Sequence, residues 1–362
     1  MNSFVPPFCP NPRCRYHHAE QQMWPWVRAG YYTRQAHPHR IARFRCRHCR
    51  RHFSTQTFST TYWLRHPDRL VPVAHRLVGG SALRQIAREF RASPQSVMNL
   101  AVRLGRHALL FHLAHRPRGP IAEPLALDSF QSFEFSQYHP TLFHLVAGRT
   151  SHYFYGFTDS ELRRSGRMTA RQKRRRQLLE QRHGRPDPRS VEREVAAVLQ
   201  LVAPRPQALV LHTDEHSDYP RALRRAGHLD VEHRTISSRA ARTSRNPLFE
   251  VNLLDLLIRH SGANHRRETI AFSKRRQAAA ERLWWFLVWR NHCKHFSERR
   301  RGGTPAMRVG VQVRPLSIGE VLGERRFRSR AALPGRWARY YDRDVPTREI
   351  PNGDPVRRRF VA

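Results

Sequence analysis

The spacing of apolar residues predicts two short helices in the first third of the chain. Between Val71 and Leu113 apolar residues recur at helical intervals, on one face from Leu83 to Phe90 and on another from Val97 to Leu104. The intervening Ser93 and Pro94 are typical of a helix start, as an N-cap and a first helical residue. The pattern therefore predicts a helix-turn-helix, with an ordinary helical hairpin as the alternative.

The pattern then changes to that of an α/β domain. Short apolar runs at residues 124–130, 142–146 and 151–157 indicate an antiparallel meander. Helical segments at 169–182 and 189–203 precede the unbroken apolar run 208–213, which is typical of a buried central strand. We therefore expect a mixed sheet flanked by helices.

Two aspartates terminate probable core strands of this domain. Asp128 and Asp214 each follow an apolar run, and the carboxyl ends of adjacent strands are where an α/β sheet gathers its chemistry. Turn chemistry at strand ends is the alternative explanation for both residues. A site for two Mg²⁺ or Mn²⁺ ions would need a third acid.

The leucine-rich helix expected after Pro247 offers two candidates for that acid. Asp255 shares a face with Asn252 and Arg259, and an acid on so apolar a helix must be paired or bound to metal. Glu250 lies near the helix start, where it can complement the helix dipole. We therefore favour Asp255 over Glu250, with an ion pair to Arg259 as the alternative.

Four of the five cysteines fall into two pairs with the spacing of zinc ligands, Cys9 with Cys14 and Cys46 with Cys49. Two facing knuckles would complete a thiolate shell for a structural Zn²⁺, although His17 or His18 could replace one thiol. Unligated cysteines at chance spacing are the alternative. Cys293 stands alone and is interpreted as a small buried residue.

The net charge of the chain predicts the class of molecule that it binds. The chain has 66 Lys and Arg against 28 Asp and Glu, a formal net charge of +38, which predicts binding to nucleic acid. It shows neither a secretory signal nor 18 consecutive apolar residues, so we expect no membrane contact and a cytosolic location with reduced thiols. On the second predicted helix, outward-facing side chains would then contact double-stranded DNA: Gln95, Ser96, Asn99 and Arg103.

Four segments together resemble the DDE transposases of bacterial insertion sequences, most closely the insertion-sequence-one type. They are Arg43-Phe-Arg-Cys46-Arg-His-Cys49-Arg-Arg-His-Phe53, Leu127-Asp128-Ser-Phe, His212-Thr-Asp214-Glu-His-Ser-Asp-Tyr219 and Arg266-Arg-Glu-Thr269-Ile-Ala-Phe272-Ser-Lys274. The resemblance covers roughly residues 9 to 300. It implies a zinc ribbon, a helix-turn-helix and an RNase H-like catalytic domain, in a bacterial protein that associates with the nucleoid.

The resemblance also implies a function and its residues. Asp128, Asp214 and a third acid would bind Mg²⁺ for cleavage and strand transfer at the ends of an insertion sequence, and joining two ends implies a homo-oligomer. The basic side chains of the last segment would grip the DNA backbone beside the scissile phosphate: Arg266, Arg267 and Lys274. A DNA-binding regulator or domesticated remnant without chemistry is the alternative, and a nuclease or resolvase-like enzyme is a weaker one.

Two departures from the family pattern bear on these expectations. The family's third acid is normally Glu, whereas Asp255 occupies the Asn-x-x-acid position here and Glu250 is offset. The site would therefore have three aspartates, or use Glu250, or be inactive. A basic stretch at residues 162–185 also lengthens the gap between the first two acids.

We expect four regions along the chain. They are a zinc ribbon at 1–62, a helix-turn-helix domain at 63–116, a catalytic domain at 121–298 with a basic helical insertion at about 160–205, and a basic tail at 299–362.

Overall fold

The computed structural model describes residues 4–18 and 24–351. Its first element is a small antiparallel sheet in the order β1-β2-β3, formed by β1 (Trp26–Thr33), β2 (Arg40–Cys46) and β3 (His52–Ser54). Strands β2 and β3 lead into and out of the second cysteine pair. One sheet face packs on an aromatic core that includes Phe8, Phe44 and Phe53. We call this region, residues 4–66, the ribbon.

Three helices follow the ribbon: α1 (Leu70–Val78), α2 (Leu83–Glu89) and α3 (Pro94–His115). The expected N-cap is present, because Ser93 Oγ accepts a hydrogen bond from the Ser96 amide at 3.1 Å. Helix α3 is much longer than expected, at 22 residues, and ends only before Arg116 and Pro117. Its second half is buried, so α1, α2 and α3 share a core with the following domain.

The central sheet has five strands: β4 (Leu125–Phe133), β5 (Pro140–Gly148), β6 (Phe154–Glu161), β7 (Gln207–Thr213) and β8 (Leu229–Thr235). The strand order is β6-β5-β4-β7-β8. Strands β4, β5 and β6 form the predicted antiparallel meander, whereas β7 and β8 run parallel to β4. The mixed sheet expected from the sequence is confirmed.

Helices cover both faces of this sheet. They are α4 (Ala170–His183), α5 (Ser190–Val202), α6 (Asp218–Ala226), α7 (Phe249–Ser261) and α8 (Arg276–Val288). Leu125 and Leu127 of β4 pack towards α5 and α6, while Ala126 and Phe130 pack towards α7 and α8. Helix α5 therefore covers one face of the central sheet and is part of the sheet domain. The insertion expected at 160–205 is shorter by this helix. No helix within residues 4–18 and 24–351 is long and apolar enough to cross a membrane.

The described part of the segment expected to be a basic tail, residues 299–351, instead contributes to the folded core. It contains α9 (Pro305–Arg308), α10 (Ile318–Val321) and α11 (Gly335–Asp342). Trp337 is fully buried, and its indole Nε1 donates to the Phe157 carbonyl at 3.1 Å. The same segment reaches the ribbon, where the Arg325 amide donates to the Phe58 carbonyl at 2.9 Å. The prediction of a tail was based on the many arginines of this segment, and the apolar face of α11 between them was not recognised.

The contact between α3 and α8 depends on Gly105. A Cβ at this position would overlap the backbone carbonyl of Glu281, so the two helices could not keep their separation. We expect Gly105→Ala to destabilise the protein by about 1–3 kcal/mol despite the better helix propensity of Ala. Gly319→Ala is the matched control, because its Cβ would meet only Ser317 Oγ at 3.7 Å. Urea unfolding of the two variants measures the difference, and equal midpoints would contradict this packing.

Candidate metal sites and nucleic-acid interface

The four paired cysteines converge on one point between the two knuckles. Their sulfur atoms lie within 4.8 Å of one another, with 3.6 Å between Cys9 and Cys49 and 3.9 Å between Cys14 and Cys46. Zn–S bonds of about 2.3 Å in a tetrahedron would separate the sulfurs by about 3.8 Å. Burial raises the pKa of the Cys9 thiol, so a bound cation is needed to hold it as the thiolate. The cluster can therefore hold a metal ion such as zinc.

His17 and His18, the two histidines expected as alternative ligands, lie outside this thiol cluster, whereas His48 Nδ1 lies 3.4 Å from Cys14 Sγ. Both ring nitrogens of His17 are engaged, Nδ1 with the Cys9 carbonyl and Nε2 with Ser329 Oγ, each at 2.8 Å. His18 is exposed. Cys293 packs against the main hydrophobic core, and burial raises its pKa to about 12. The structure thus favours four cysteines over the alternative of His17 or His18 as a ligand.

Sheet register sets Asp128 and Asp214 level with each other. Leu125 pairs with Leu211 and Ala126 with His212 in the parallel ladder, and continuing this register brings Asp128 opposite Asp214. Asp214 directly follows β7, as expected. Asp128 is not at a strand end, because β4 continues to Phe133 through its pairing with β5. By strand alternation, Asp128 shares the sheet face of Ala126, which α7 covers.

Electrostatics connect these two acids to Asp255. Burial raises the pKa of Asp128 to about 6, with further repulsion from the carboxylates of Asp214 and Asp255, against a hydrogen bond of 2.7 Å from the Ser129 amide. Burial, together with repulsion from Asp128 and Asp214, also raises the pKa of Tyr219 on α6. Asp214 and Asp255 are therefore close enough to Asp128 to raise its pKa.

The three aspartates do not form a closed ligand shell in this structure. Across the described ranges, only the four cysteines bring three or more possible ligand atoms within 4.8 Å of one another. Asp255 makes the ion pair anticipated as its alternative, with Arg259 Nε at 2.9 Å from Oδ1. Arg259 is itself anchored, since its Nη1 donates to the His265 carbonyl at 3.1 Å.

Glu250 lies in a different cluster. Its Oε2 is 3.4 Å from His152 Nδ1. Burial raises the pKa of Glu250 to about 7, although the guanidinium groups of Arg149, Arg308 and Arg290 oppose the shift. The charges with the largest effects on the pKa of Asp128 are those of Asp214, Asp255 and Arg242, and Glu250 is not among them.

Helix α3 presents three of its four expected DNA contacts. Gln95, Ser96 and Asn99 are exposed, and Gln95 Nε2 donates to Asn99 Oδ1 at 2.9 Å. Arg103 departs from the expectation, because its side chain is only 9% exposed and donates through Nη1 to the Thr60 carbonyl at 2.9 Å. The end of the ribbon and the C-terminal segment cover this part of α3. Arg103 therefore joins the helix to the ribbon instead of facing solvent.

The basic segment between α7 and α8 is exposed on both sides of Phe272. Arg266 and Arg267 face solvent, and Arg266 Nη2 lies 3.5 Å from the Gly80 carbonyl just before α2. Lys274 Nζ lies 4.2 Å above the Phe272 ring, which packs against Phe133 at the end of β4. This segment therefore lies between α2 and the strand that carries Asp128.

A buried series of side-chain hydrogen bonds beside Asp128 was not predicted from the sequence. Ser129 Oγ lies 2.6 Å from His144 Nδ1, and His144 Nε2 lies 2.9 Å from Ser160 Oγ. Burial lowers the pKa of His144 to about 3, so this imidazole is neutral. Polar residues inside apolar strand runs were the available signal, but their pairing needs the register of Ser129 with His144.

No protein-family model matches the chain, and no curated protein matches it.

Proposed function

We propose that the protein is a DNA transposase that cuts and joins DNA by metal-dependent phosphoryl transfer at Asp128, Asp214 and Asp255. One observation carries the proposal: the pKa of Asp128 is raised to about 6 by burial and by repulsion from both other aspartates. A cation bound by the three carboxylates would remove the repulsion that raises the pKa of Asp128.

The order of elements supports an RNase H-like catalytic domain. Strands β4, β5 and β6 precede helices, then β7, α6, β8 and α7. This agrees with the β-β-β-α-β-α order on which the resemblance to DDE transposases rests. The domain would hold Asp128 on its first strand and Asp214 after its fourth, with the third acid on a helix.

The donor set fits the proposed chemistry. Carboxylate oxygens are the ligands that Mg²⁺ and Mn²⁺ prefer, and three of them leave room for water and phosphate oxygens. Bound there, Mg²⁺ would activate a water or a DNA 3′-hydroxyl and stabilise the leaving oxygen. The Ser129 amide orients the Asp128 carboxylate, while Arg266, Arg267 and Lys274 would hold the DNA backbone.

The N-terminal elements would deliver the DNA. Helices α2 and α3 would act as a helix-turn-helix on double-stranded DNA at the element ends, with Gln95, Ser96 and Asn99 directed at the major groove. The exposure of these three side chains and the net charge of +38 support this role. Two ends have to be held together, so the active form would be a homo-oligomer.

A cleavage assay tests the proposal. The full chain, incubated with a supercoiled plasmid that carries the DNA flanking its gene, is expected to nick that DNA with Mg²⁺ or Mn²⁺ and not with EDTA. Site-specific nicking is measured by primer extension across the flanks. Absence of cleavage with both ions, in a protein that still binds the flanking DNA, would contradict the proposed chemistry.

The same assay identifies the third acid. Because Asp255 raises the pKa of Asp128 whereas Glu250 lies in a separate cluster with His152, we expect Asp255→Asn to reduce cleavage roughly a hundredfold or more and Glu250→Gln to change it less than about threefold. The two substitutions remove the same charge from one helix, so each serves as the other's control. Loss of cleavage in Glu250→Gln alone would show that Glu250 is the ligand.

The ion pair between Asp255 and Arg259 favours a second candidate function, a DNA-binding regulator without chemistry. If this pair is permanent, Asp255 needs no cation. Titrating Mg²⁺ or Mn²⁺ separates the two functions, because a live site changes its thermal stability or Mn²⁺ relaxation signal in the wild type and not in Asp128→Asn.

A further inference from the structure

A groove of about 620 Å³ opens on the face of the ribbon sheet that is turned away from the aromatic core. Its floor is formed by side chains of β1, β2 and β3, and one wall is formed by the loop at residues 62–65. We call it the ribbon groove. The side chains that the argument uses are Tyr32, Arg34, Arg43, Tyr62, Trp63 and Arg65.

Strand alternation places arginines on this face. Phe44 and Cys46 of β2 point into the aromatic core, so Arg43 and Arg45 between them point to the other face. Cross-strand pairing continues that face, since Arg43 pairs with Ser54 and Arg45 with His52. The groove is therefore built into the sheet by the same pattern that builds the core.

The charge of the ribbon groove suits a phosphate backbone. Residues 21–67 contain nine arginines and neither Asp nor Glu, and no acidic residue lines the groove. Arg34 is held in place, as Nη1 donates to Gln56 Oε1 at 3.1 Å and Nη2 to the His37 carbonyl at 2.7 Å. Arg43 and Arg65 are exposed at the groove and face solvent. A polyanion would replace the solvent around these guanidinium groups.

The aromatic side chains of the groove indicate a second property of its ligand. Trp63 is 76% exposed, although its residue adopts a positive φ of 61°, which is unfavourable for a bulky side chain. Its indole meets the Tyr62 ring edge-on, at 5.9 Å between centroids, which leaves an indole face open. Tyr32 is also exposed at the groove. Open aromatic faces beside arginines are the features of a stacking platform for bases.

We propose that the ribbon groove binds unpaired bases of DNA, which stack on Trp63 and Tyr32 while Arg43 and Arg65 contact the backbone. Paired bases in a duplex stack on each other and cannot offer a free face to Trp63, so the groove selects single-stranded DNA. The inference rests on the proposed function for its choice of DNA as the ligand. It assigns the ribbon to frayed or cut strands and leaves duplex recognition to α2 and α3.

Binding of two DNA probes to the full chain tests this assignment. One probe is a blunt duplex, and the other is the same duplex with a single-stranded tail that contains 2-aminopurine. We expect Trp63→Ala to weaken binding of the tailed probe about tenfold, since base stacking on an aromatic side chain contributes that much or more, and to abolish quenching of 2-aminopurine. Trp63→Phe should retain most of both signals.

Tyr31→Ala is the matched control, because Tyr31 is 48% exposed on the neighbouring position of β1 but does not line the groove. We expect it to bind both probes like the wild type. Zinc content and the near-ultraviolet circular dichroism spectrum confirm that each variant is folded. Equal binding of the tailed probe by Trp63→Ala and Tyr31→Ala would overturn the assignment, as would an equal loss for the blunt duplex.

The outcome is separable from that of the cleavage test. If Asp128→Asn cleaves as well as the wild type while Trp63→Ala loses the tailed probe, the proposed chemistry fails and the ribbon groove stands. If cleavage needs Asp128 and the tailed probe binds all variants alike, the groove assignment fails alone.

Discussion

Asp128→Asn is expected to abolish cleavage and, in EDTA, to make the protein more stable. Loss of a carboxylate from the proposed metal site should lower the cleavage rate roughly a thousandfold or more. The amide keeps an oxygen for the Ser129 amide, and it removes a carboxylate whose pKa is raised mainly by burial and further by two acidic neighbours. A charge in that setting destabilises the metal-free fold.

The sign of the stability change follows from the pKa values. The pKa of Asp128 rises from an ordinary 3.8 to about 6 on folding, so the wild type loses stability as the pH increases between these values and the asparagine variant does not. The gain of the variant should be absent at acidic pH and reach on the order of 1–3 kcal/mol above pH 6. Chemical unfolding in EDTA at several pH values measures it.

Asp159→Asn is the control of opposite sign. Asp159 is fully buried on β6, where Arg336 lies 2.9 Å away, Arg276 lies 3.1 Å away and the Tyr340 hydroxyl donates to it. These arginines hold the pKa of Asp159 below its usual value despite burial, so its charge stabilises the fold. Removing the charge should cost about 3–5 kcal/mol. A loss of stability in Asp128→Asn as well would contradict the account of a strained acidic site.

Cys46→Ser is expected to remove the metal and unfold the ribbon. The four sulfurs are spaced for a tetrahedral ion, and a structural zinc site contributes on the order of 10 kcal/mol to a small domain. The aromatic core around Phe44 and Phe53 is too small to replace that contribution. Zinc content, measured by mass spectrometry, should fall from one ion per chain to near zero, and limited proteolysis should cut within residues 26–54.

Cys293→Ser is the matched control, because Cys293 is the one cysteine outside the cluster. It should keep zinc and resist proteolysis like the wild type. Helices α1, α2 and α3 should survive in both variants, since their apolar faces belong to the large core that also contains α8. Stoichiometric zinc in Cys46→Ser, with the ribbon still protease-resistant, would show that the four thiols are not the ligand set.

Local patterns predicted the parts of this fold whose signals are local. The start of α3 was visible in Ser93 and Pro94, and the cysteine cluster in the spacing of its two pairs. The mixed sheet followed from three short apolar runs and one longer unbroken apolar run. Strand β8 was missed, because it is an edge strand with alternating polar residues and a weak apolar signal.

Features that depend on distant partners could not be predicted. Arg103 was predicted to be a solvent-facing residue of α3. It is buried instead because its guanidinium donates to the carbonyl of Thr60, a partner distant in the sequence. The relation of Asp255 to Asp128 needed α7 to lie on the correct sheet face, which no spacing within residues 246–260 specifies. The buried role of Trp337 likewise depends on β6.

The return of the C-terminal segment to the ribbon constrains the order in which the chain can fold during synthesis. The ring of His17 contacts Ser329, 312 positions later, and the ring of Trp337 contacts Phe157, 180 positions earlier. Such large sequence separations slow folding, since loops must close before the contacts form. The ribbon and the sheet can each form early on the ribosome, but the contacts that residues 325–341 make with both form only after these residues have emerged. A messenger that stops after α8 would therefore encode the cysteine cluster and the three aspartates without the segment that contacts both the ribbon and the sheet.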